Sequence, residues 1–255
     1  MKLFVFDKFS AAAVTLTVVF GVAAAFYSAV SVPVYTSGGS NLPIYRVKTD
    51  ENAVAVTFDT AWGNEDINSV LSALSAASCK ATFFVTGEWA EKFPDDVKKI
   101  YESGHEIASH TNEHKHFSAL TPDEMLNDME ICDAKIRNIT AQDEILVRAP
   151  YGEYNSDMVN VCRSTGRYLI QWSLDSLDYK DLSLPQIEKR ILPKLGGGDI
   201  LLFHTGTKHT AEYLPQILAD IKAKGFSFRK CGELIYKDNF SLENDGRQIP
   251  SPTVQ

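Results

Sequence analysis

The amino-acid sequence predicts an α/β fold: an incomplete (distorted) β/α barrel of about seven parallel strands, preceded by one N-terminal transmembrane helix. Three observations lead to this fold class. Residues 9–45 contain no Asp, Glu, Lys or Arg. From Arg46 onward, short apolar runs rich in β-branched and aromatic residues alternate with segments of helical periodicity. Polar residues of catalytic type directly follow several of these apolar runs.

The segment 1–32 is apolar and long enough to span a membrane. A helix of about 20 apolar residues crosses the hydrocarbon core of a bilayer, and 9–32 exceeds that length. An Ala-Ala-Ala run at 23–25 also fits a cleavage site, but the apolar stretch is longer than the roughly 7–15 residues of a signal peptide, which favours a retained anchor. Lys2 and Lys8 precede the span, so the N-terminus is expected in the cytoplasm. The sequence therefore predicts a single-pass protein of the cell membrane, with its domain outside the cytoplasm.

The rest of the chain divides into a tether, one domain and a tail. Residues 33–45 carry no charge and contain Ser, Gly and Pro, which is typical of a short flexible tether. Residues 46–237 contain the alternating strands and helices and are long enough to build one hydrophobic core. Residues 238–255 are polar and predict a loosely attached tail.

Strands and helices alternate along this domain. The apolar runs predict strands at 53–58, 81–85, 105–108, 145–147, 168–172, 199–203 and 226–229. Helical periodicity predicts helices at 66–78, 95–103, 121–138, 155–164, 185–192, 211–223 and 232–237. The helix at 121–138 has the clearest start, with Thr121 as N-cap, Pro122 at the first helical position and Glu124 three residues after the cap. The alternation implies parallel strands joined by right-handed crossovers, and this many repeats suits an incomplete barrel.

Charge and cysteine spacing exclude two classes of function. The formal net charge is −8, whereas sequence-independent nucleic-acid binding needs a basic surface against the phosphates. No nucleic-acid partner is therefore expected. The four cysteines are far apart in the sequence, so there is no Cys-x-x-Cys metal or redox motif, and we expect them to be buried free thiols.

Polar residues able to do chemistry follow five of the predicted strands. In β/α barrels the active site forms at the carboxyl ends of the strands, so these residues should meet on one rim. Each of them alone has a structural explanation, such as a helix cap for an Asp or a surface ion pair for an Arg, but their joint placement favours a site. Two of the histidines are four residues apart, and on a helical turn both imidazoles would face one metal ion. The residues are Asp59, His110, His114, Arg148, Asp178 and His204.

Five motifs in this order resemble those of the NodB-homology polysaccharide deacetylases, a family of carbohydrate esterase type. The resemblance covers roughly residues 54–234, and the segment 57–63, together with the apolar N-terminus, is most similar to the PdaB-like sporulation branch. It implies hydrolysis of N-acetyl groups on a cell-wall glycan, peptidoglycan, in sporulation, with the glycan and the membrane as partners of a monomeric chain. The motifs are Thr57-Phe58-Asp59, His110-Thr111-Asn112-Glu113-His114, Arg148-Ala149-Pro150-Tyr151-Gly152, Asp175-Ser176-Leu177-Asp178-Tyr179 and Leu202-Phe203-His204.

The resemblance also implies roles for individual residues. His110 and His114 would bind a divalent metal, expected to be zinc, which polarises the acetyl oxygen and acidifies a bound water. Asp59 would be the general base acting on that water, and Arg148 would orient Asp59 and hold it ionised. The backbone N–H of Tyr151 would join the metal in stabilising the oxyanion.

Further roles concern the leaving group and the substrate. His204 would protonate the leaving amine, and Asp178 would orient His204 and favour its charged form. Trp62 and Tyr179 would contact the substrate as aromatic walls. An ionised base and a protonated acid together predict a bell-shaped dependence of activity on pH.

One position departs from the family pattern. The third metal ligand of the family is an Asp directly after the base, and here that position is Thr60. A neutral hydroxyl is a poorer zinc ligand than a carboxylate. Asn64, Glu65 or Asp66 would have to reach in, water would have to fill the position, or metal affinity would be weak or absent.

The sequence alone is compatible with three functions. The first is a metal-dependent polysaccharide (peptidoglycan) N-deacetylase, a hydrolase acting on linear amide C–N bonds, which the set of acid, base and imidazole residues favours. The second is a catalytically degenerate glycan-binding or assembly protein of the same fold, which the departure at Thr60 suggests. The third is a hydrolase that acts on another amide or imide in the same site.

Overall fold

The computed structural model of the protein describes residues 41–143 and 145–251. The predicted membrane anchor at 1–32 and the predicted tether up to residue 40 lie outside the described residues. Within the described part, none of the helices has both the length and the apolar character needed to cross a membrane.

Seven strands follow one another in one parallel sheet that curls into a half-barrel, and an eighth, Ser227–Arg229, pairs parallel with the start of the central strand. The order across the sheet is β6-β5-β4-β3-β2-β8-β7, and every neighbouring pair is parallel. This agrees with the predicted incomplete barrel of about seven parallel strands. The strands are β1 (Arg46–Val47), β2 (Ala53–Thr60), β3 (Thr82–Val85), β4 (Glu106–Ser109), β5 (Leu146–Val147), β6 (Tyr168–Leu169), β7 (Leu174–Asp175), β8 (Ile200–His204), β9 (Ser227–Arg229), β10 (Phe240–Leu242) and β11 (Arg247–Pro250).

Helices connect the strands of the sheet. The helix that starts after Thr121 has the predicted capping box, in which Thr121 and Glu124 bond to each other's backbone N–H. The sequence missed α2 and β7, because segments this short contain too few residues to show a period. The helices are α1 (Ile67–Ala76), α2 (Gly87–Lys92), α3 (Pro94–Glu102), α4 (Pro122–Thr140), α5 (Ser156–Ser164), α6 (Leu184–Ile191), α7 (Thr210–Ala223) and α8 (Cys231–Leu234).

The central strand β2 separates the outer core from the inner face of the barrel. Phe58 is fully buried among residues of the flanking helices, and burying such a side chain contributes about 1.5–3 kcal/mol. Ala55 belongs to a second apolar cluster on the other face. Because side chains alternate along a strand, Thr57 and Asp59 share that inner face with Ala55, and β2 thereby delivers Asp59 to the inner rim.

The end of the predicted tether is part of the folded domain. Ile44 is 2% exposed and bridges to Ile170 beyond β6, while Arg46 bridges to Asp199 just before β8. The chain thus links the β6 edge of the sheet to the start of β8. Gly198 permits this close approach, because its φ is +84° and a Cβ there would lie 1.8 Å from the carbonyl oxygen of Val47.

The C-terminal residues up to 251 form a packed hairpin, so the prediction of a loose tail was wrong for them. β10 and β11 pair antiparallel, and β11 pairs parallel with β1. Phe240 is 1% exposed, and the fully buried side chain of Gln248 bonds to the backbone N–H and carbonyl of Tyr236. The polar composition of the segment concealed its few apolar residues, which the domain buries.

The four cysteines, which all lie in the described part of the chain, are free and buried. This confirms the expectation from their spacing. Burial raises the pKa of each thiol, for Cys162 to about 12, because a thiolate loses its hydration in an apolar environment. The thiols therefore act as small apolar side chains within the core.

Candidate active site

Asp59, near the carboxyl end of β2, forms a buried ion pair with Arg148. Nη1 of Arg148 donates to Oδ1 of Asp59 at 2.7 Å and to Oγ1 of Thr57 at 2.9 Å. Nη2 donates to the carbonyl oxygen of Gln171 at 3.1 Å, and the guanidinium lies 3.9 Å from the ring centroid of Phe84. One guanidinium thus joins β2 to the segments that follow β5 and β6.

This pairing keeps Asp59 ionised. Burial raises the pKa of Asp59, because a buried carboxylate loses its hydration. The charge and hydrogen bond of Arg148, together with the nearby His110 and His204, outweigh burial, so the pKa lies below its usual value of 3.8. Asp59 is therefore a carboxylate at neutral pH and is able to accept a proton.

His110 and His114 lie on an irregular loop after β4 and not on the predicted helical turn. Thr111 and His114 have φ of 68° and 54°, left-handed values that are rare outside glycine and concentrate at functional sites. The two imidazole rings nevertheless meet, with centroids 5.0 Å apart. Asp128 of α4 holds the loop by accepting the backbone N–H of Asn112 at 2.6 Å.

Both imidazoles are available as neutral nitrogen donors. Nδ1 of His110 lies 2.8 Å from the carbonyl oxygen of Arg148, so the proton sits on Nδ1 and the lone pair of Nε2 is free. Burial lowers the pKa of His110, and burial with repulsion from His110 lowers the pKa of His114 to about 4. Nε2 of His110 lies 3.6 Å from Oδ2 of Asp59. The pair fits two of the ligands of a divalent metal ion.

The third ligand of such a site is not supplied at the position after the base. Catalytic zinc sites have three protein ligands, and the described part of the chain holds no group of three or more His, Cys, Asp or Glu suited to a metal. Thr60 is fully buried and does not line the cavity that contains the histidines. Its Oγ1 has no hydrogen-bond partner among the described residues. The donor set is therefore two imidazoles, one short of a catalytic zinc site.

None of the three candidate substitutes for Thr60 reaches the histidines. The side chain of Asn64 donates to Asp96 at 2.6 Å. The carboxylate of Asp66 accepts the backbone N–H of Gly206 at 2.9 and 3.0 Å. The carboxylate of Glu65 lies against Gly63. Asn64 is thus held by α3 and Asp66 by the loop after β8, away from a position as third ligand.

His204, the last residue of β8, pairs with Asp178. Nδ1 of His204 lies 2.7 Å from Oδ1 of Asp178, and Oδ2 accepts the backbone N–H of His204 at 2.8 Å and the hydroxyl of Thr210 at 2.6 Å. Burial lowers the pKa of His204, but the hydrogen bond and charge of Asp178 outweigh burial, so the pKa lies above its usual value of 6.5. Asp178 occupies Nδ1 and leaves Nε2 to donate a proton.

A cavity of about 320 Å³ brings the predicted residues together. Three exposed aromatic side chains stand at its rim. The rings of Trp62 and Tyr151 meet His114 edge-on, with centroids 5.0 and 4.6 Å away, and the ring of Tyr179 meets His204 edge-on at 5.1 Å. The predicted site residues in its lining are Asp59, Trp62, His110, His114, Tyr151, Tyr179 and His204, with Arg148 and Asp178 directly behind them.

The sequence missed several residues at this site. His116, two residues after His114 and outside the predicted site, stacks on Tyr151 with centroids 4.3 Å apart and planes at 13°. Trp172 lines the cavity, and its position shortly after β6 is the signal that would have found it. Thr210 gives no sequence signal, because it reaches Asp178 from the first turn of α7 through the tertiary fold.

Comparison with known proteins gives a consistent result. Residues 46–170 match the family model for polysaccharide deacetylase. A peptidoglycan-N-acetylglucosamine deacetylase of Bacillus cereus is 31% identical over 179 residues, which cover 69% of this chain and 65% of that relative. The match thus spans a little under two thirds of that relative's length.

Of two similar solved structures, one is a deacetylase and the other is described as a pseudoenzyme. The Bc1960 peptidoglycan N-acetylglucosamine deacetylase superposes with a TM-score of 0.73 at 28% identity, covering 76% of this chain and 94% of that one. BA3943 of Bacillus anthracis, described as a CE4 family pseudoenzyme, also superposes with a TM-score of 0.73, at 27% identity, covering 78% of this chain and 70% of that one.

Proposed function

Because this chain carries a polysaccharide deacetylase domain of the NodB-homology (CE4) family, we propose that it hydrolyses N-acetyl groups of a cell-wall glycan, peptidoglycan. One observation carries the proposal: a carboxylate held ionised and an imidazole paired with a carboxylate line the same cavity. Asp59 has Arg148 at 2.7 Å, and His204 has Asp178 at 2.7 Å. A base and an acid on one cavity are what amide hydrolysis requires.

Asp59 acts as the general base. It accepts a proton from a water molecule, and the water oxygen bonds to the carbonyl carbon of the acetyl group. Arg148 holds the carboxylate in place and ionised. The backbone N–H of Tyr151, in a turn with φ of 60° that borders the cavity, donates to the oxygen on which negative charge develops.

His204 acts as the general acid. Asp178 fixes Nδ1, so Nε2 carries the proton that passes to the amide nitrogen as the C–N bond breaks. The products are acetate and a free amine on the sugar. Trp62 and Tyr179, both more than half exposed at the rim, offer aromatic surfaces to the sugar ring.

A divalent metal, zinc by the family pattern, would be held by His110 and His114. When bound, it would polarise the acetyl oxygen and lower the pKa of a water molecule. Because a neutral hydroxyl at Thr60 replaces the usual carboxylate, we expect weaker metal binding than in a three-ligand site.

A second candidate function is glycan binding without turnover. The residue at position 60 favours it. The usual third metal ligand is replaced there by Thr60, whose hydroxyl is buried without a hydrogen-bond partner among the described residues. A metal with two protein ligands is held more loosely than one with three. The similarity to a protein described as a pseudoenzyme also supports this candidate. This candidate predicts glycan binding with no acetate release, and full biological activity in His204→Ala.

We propose further that residues 1–32 anchor the chain in the cell membrane, with the domain outside the cytoplasm and acting in sporulation. The uncharged apolar stretch supports the anchor. Isolation of mature protein that begins near Phe26 would contradict it, because it would show a cleaved signal peptide.

The deciding experiment measures bound metal and acetate release from peptidoglycan on the same purified protein. The deacetylase proposal expects acetate release by the wild type, its loss in Asp59→Asn and His110→Ala, and higher metal occupancy in Thr60→Asp. Acetate release that is absent in the wild type but present in Thr60→Asp would instead support the glycan-binding candidate. No release from either protein, with metal bound, would contradict the deacetylase function.

A further inference from the structure

Tyr151, whose backbone N–H is assigned to the oxyanion, lies in a strained turn. Its φ and ψ are 60° and 5°, in the left-handed region, and Gly152 follows with a φ of 68°. A residue that carries a Cβ adopts this conformation at an energetic cost, so the conformation persists only where the surroundings hold it. The side chain of Tyr151 is 57% exposed, so burial in the core does not supply that hold.

The ring of Tyr151 contacts two histidines of the loop after β4. His114 meets it edge-on, with centroids 4.6 Å apart. His116 stacks on it, with centroids 4.3 Å apart and planes at 13°. Aromatic pairs in such arrangements are stabilised beyond the apolar area that they bury. His116 is not among the described residues that line the cavity, so any effect it has on the reaction passes through Tyr151.

The imidazole of His116 is fixed in this orientation by Glu153, two residues after Tyr151. Nδ1 of His116 lies 3.1 Å from both carboxylate oxygens of Glu153. The hydroxyl of Ser118 donates to Oε2 of the same carboxylate at 3.0 Å. Phe117, between the two, is fully buried and anchors them to the core. This segment therefore binds the turn twice, through the ring of Tyr151 and through the carboxylate of Glu153.

The backbone of the turn is fixed from inside the domain. Ala149, before Tyr151, is fully buried in an apolar cluster. After Tyr151, Nε2 of Gln171 donates to the carbonyl oxygen of Gly152 at 3.0 Å. These contacts hold the turn on either side of Tyr151, and the stack with His116 holds the residue in between.

We propose that His116 is a positioning residue for the proposed deacetylation, which keeps the backbone N–H of Tyr151 directed at the oxygen on which negative charge develops. This inference rests on the proposed function. The charge on that oxygen is present in the transition state and absent from the bound substrate, so the N–H stabilises the transition state more than the substrate. Loss of His116 should therefore lower kcat and leave KM nearly unchanged.

The test measures acetate release from muramidase-solubilised peptidoglycan by the full chain and two variants. His116→Ala should lower kcat about 10-fold, part of the roughly 100- to 1000-fold that removal of an oxyanion donor costs, with KM within about twofold of the wild type. His116→Phe keeps a flat ring and loses the contact with Glu153, so it should restore kcat. A kcat in His116→Ala equal to that of the wild type, or no recovery in His116→Phe, would overturn the proposal.

His209→Ala is the matched control. His209 stacks on Tyr213 with centroids 5.2 Å apart and planes at 17°, and its Nδ1 lies 3.0 Å from Glu212. It thus repeats the histidine–tyrosine stack with a carboxylate partner, but away from Tyr151. This variant should keep the kcat and KM of the wild type. A fall in kcat as large as that in His116→Ala would contradict a specific role of His116.

Hydrogen exchange measured by NMR gives a readout that needs no turnover. The backbone N–H of Gly152 donates to the carbonyl oxygen of Ala149 at 3.3 Å. That of Glu153 donates to the carbonyl oxygen of Pro150 at 3.1 Å, and the two bonds close the turn. In His116→Ala these two amides should exchange about 2- to 12-fold faster, which corresponds to the free energy of one aromatic stack, and in His116→Phe they should exchange as in the wild type. Unchanged exchange in His116→Ala would overturn the proposal.

The two readouts separate this inference from the proposed function. No acetate release by the wild type, with faster exchange in His116→Ala, would contradict the deacetylase function and support the hold of His116 on the turn. Acetate release that does not change in His116→Ala would support the function and contradict the role of His116.

Discussion

The guanidinium of Arg148 lies 2.7 Å from the carboxylate of Asp59, and the Arg148 side chain is fully buried. Removing two opposite charges from water is costly, and further hydrogen bonds from Nη1 and Nη2 of the guanidinium offset part of that cost. Thr57 and Gln171 accept these hydrogen bonds. The pair therefore fixes both the position and the charge of the proposed general base.

We expect Arg148→Met to abolish the proposed activity and to destabilise the fold. Without the guanidinium, the strongest effect that opposes burial is lost, so the pKa of Asp59 rises and protonation of the base is favoured. The unfolding free energy should fall by about 3–5 kcal/mol, since a buried charge loses its partner. Acetate release should fall by about 100-fold or more. Denaturant unfolding and an acetate assay measure the two effects.

The matched control is Arg137→Met, which removes an exposed arginine paired with exposed Asp143. Exposed pairs contribute about 0–1 kcal/mol, so this variant should stay close to wild type. Equal destabilisation by both substitutions would show that the burial of the Asp59–Arg148 pair has no energetic consequence.

Asp178→Asn should lower the pKa of His204. The carboxylate of Asp178 is what holds that pKa above 6.5 against the effect of burial. His204 must be protonated to act as an acid, so activity is expected below its pKa and is lost as pH rises through it. The alkaline limb of the pH profile should thus move to lower pH in Asp178→Asn. Titration of the His204 ring by NMR checks the shift directly.

Asp181→Asn serves as the control for this shift, because Asp181 pairs with Lys208 and His209. Its replacement should leave the titration of His204 close to that of the wild type. A pKa of His204 that is unchanged in Asp178→Asn would refute the assigned role of Asp178.

Gly198→Ala should destabilise the domain more than Gly225→Ala. Both glycines have positive φ, +84° and +87°, so each substitution introduces left-handed strain of about 1–2 kcal/mol. At Gly198 the added Cβ also meets the carbonyl of Val47, whereas nothing lies within 4 Å at Gly225. Overpacking adds about 1–3 kcal/mol. Thermal unfolding of the two variants side by side measures the difference, and equal melting temperatures would contradict the close packing of β1 on this turn.

Phe240→Ala should lower the unfolding free energy by about 3–5 kcal/mol, as expected for truncation of a buried aromatic side chain. Phe240 is 1% exposed in the C-terminal hairpin. Ser241→Ala, one residue along the same strand and partly exposed, should change stability little. Chemical denaturation of both variants measures whether the hairpin is packed on the domain. If it were a loose tail, neither substitution would change the unfolding free energy.

The sequence predicted the site residues through a simple relation between strand order and position. Parallel strands end on one rim, so residues at or just after the carboxyl ends of β2, β4, β5 and β8 had to meet there. Asp59, His110, Arg148 and His204 do so. The predicted geometry for the histidines was wrong in detail, because left-handed residues in an irregular loop, and not a helical turn, bring the two rings together.

Contacts between segments that are distant in the chain could not be predicted from a local sequence pattern. The hairpin at β10 and β11 depends on β1, with Arg46 paired to Arg247 at the other end of the domain, and its few apolar residues lie within a polar segment. The contact between Thr210 and Asp178 likewise depends on how α7 is placed against the turn after β7. Patterns that recur along one segment can be recognised from that segment, whereas pairing between distant segments cannot.

The sequence by itself determined the alternation of strands and helices, which carboxylate, arginine and histidine residues lie at the strand ends, and the presence of Thr60 directly after Asp59. These are local properties of composition and order. Only the tertiary structure decided that Asn64, Glu65 and Asp66 turn away from the histidines. It also decided that a second cavity adjoins His204. Both depend on side-chain direction and loop packing, which are fixed when the whole core forms and not by neighbours in the chain.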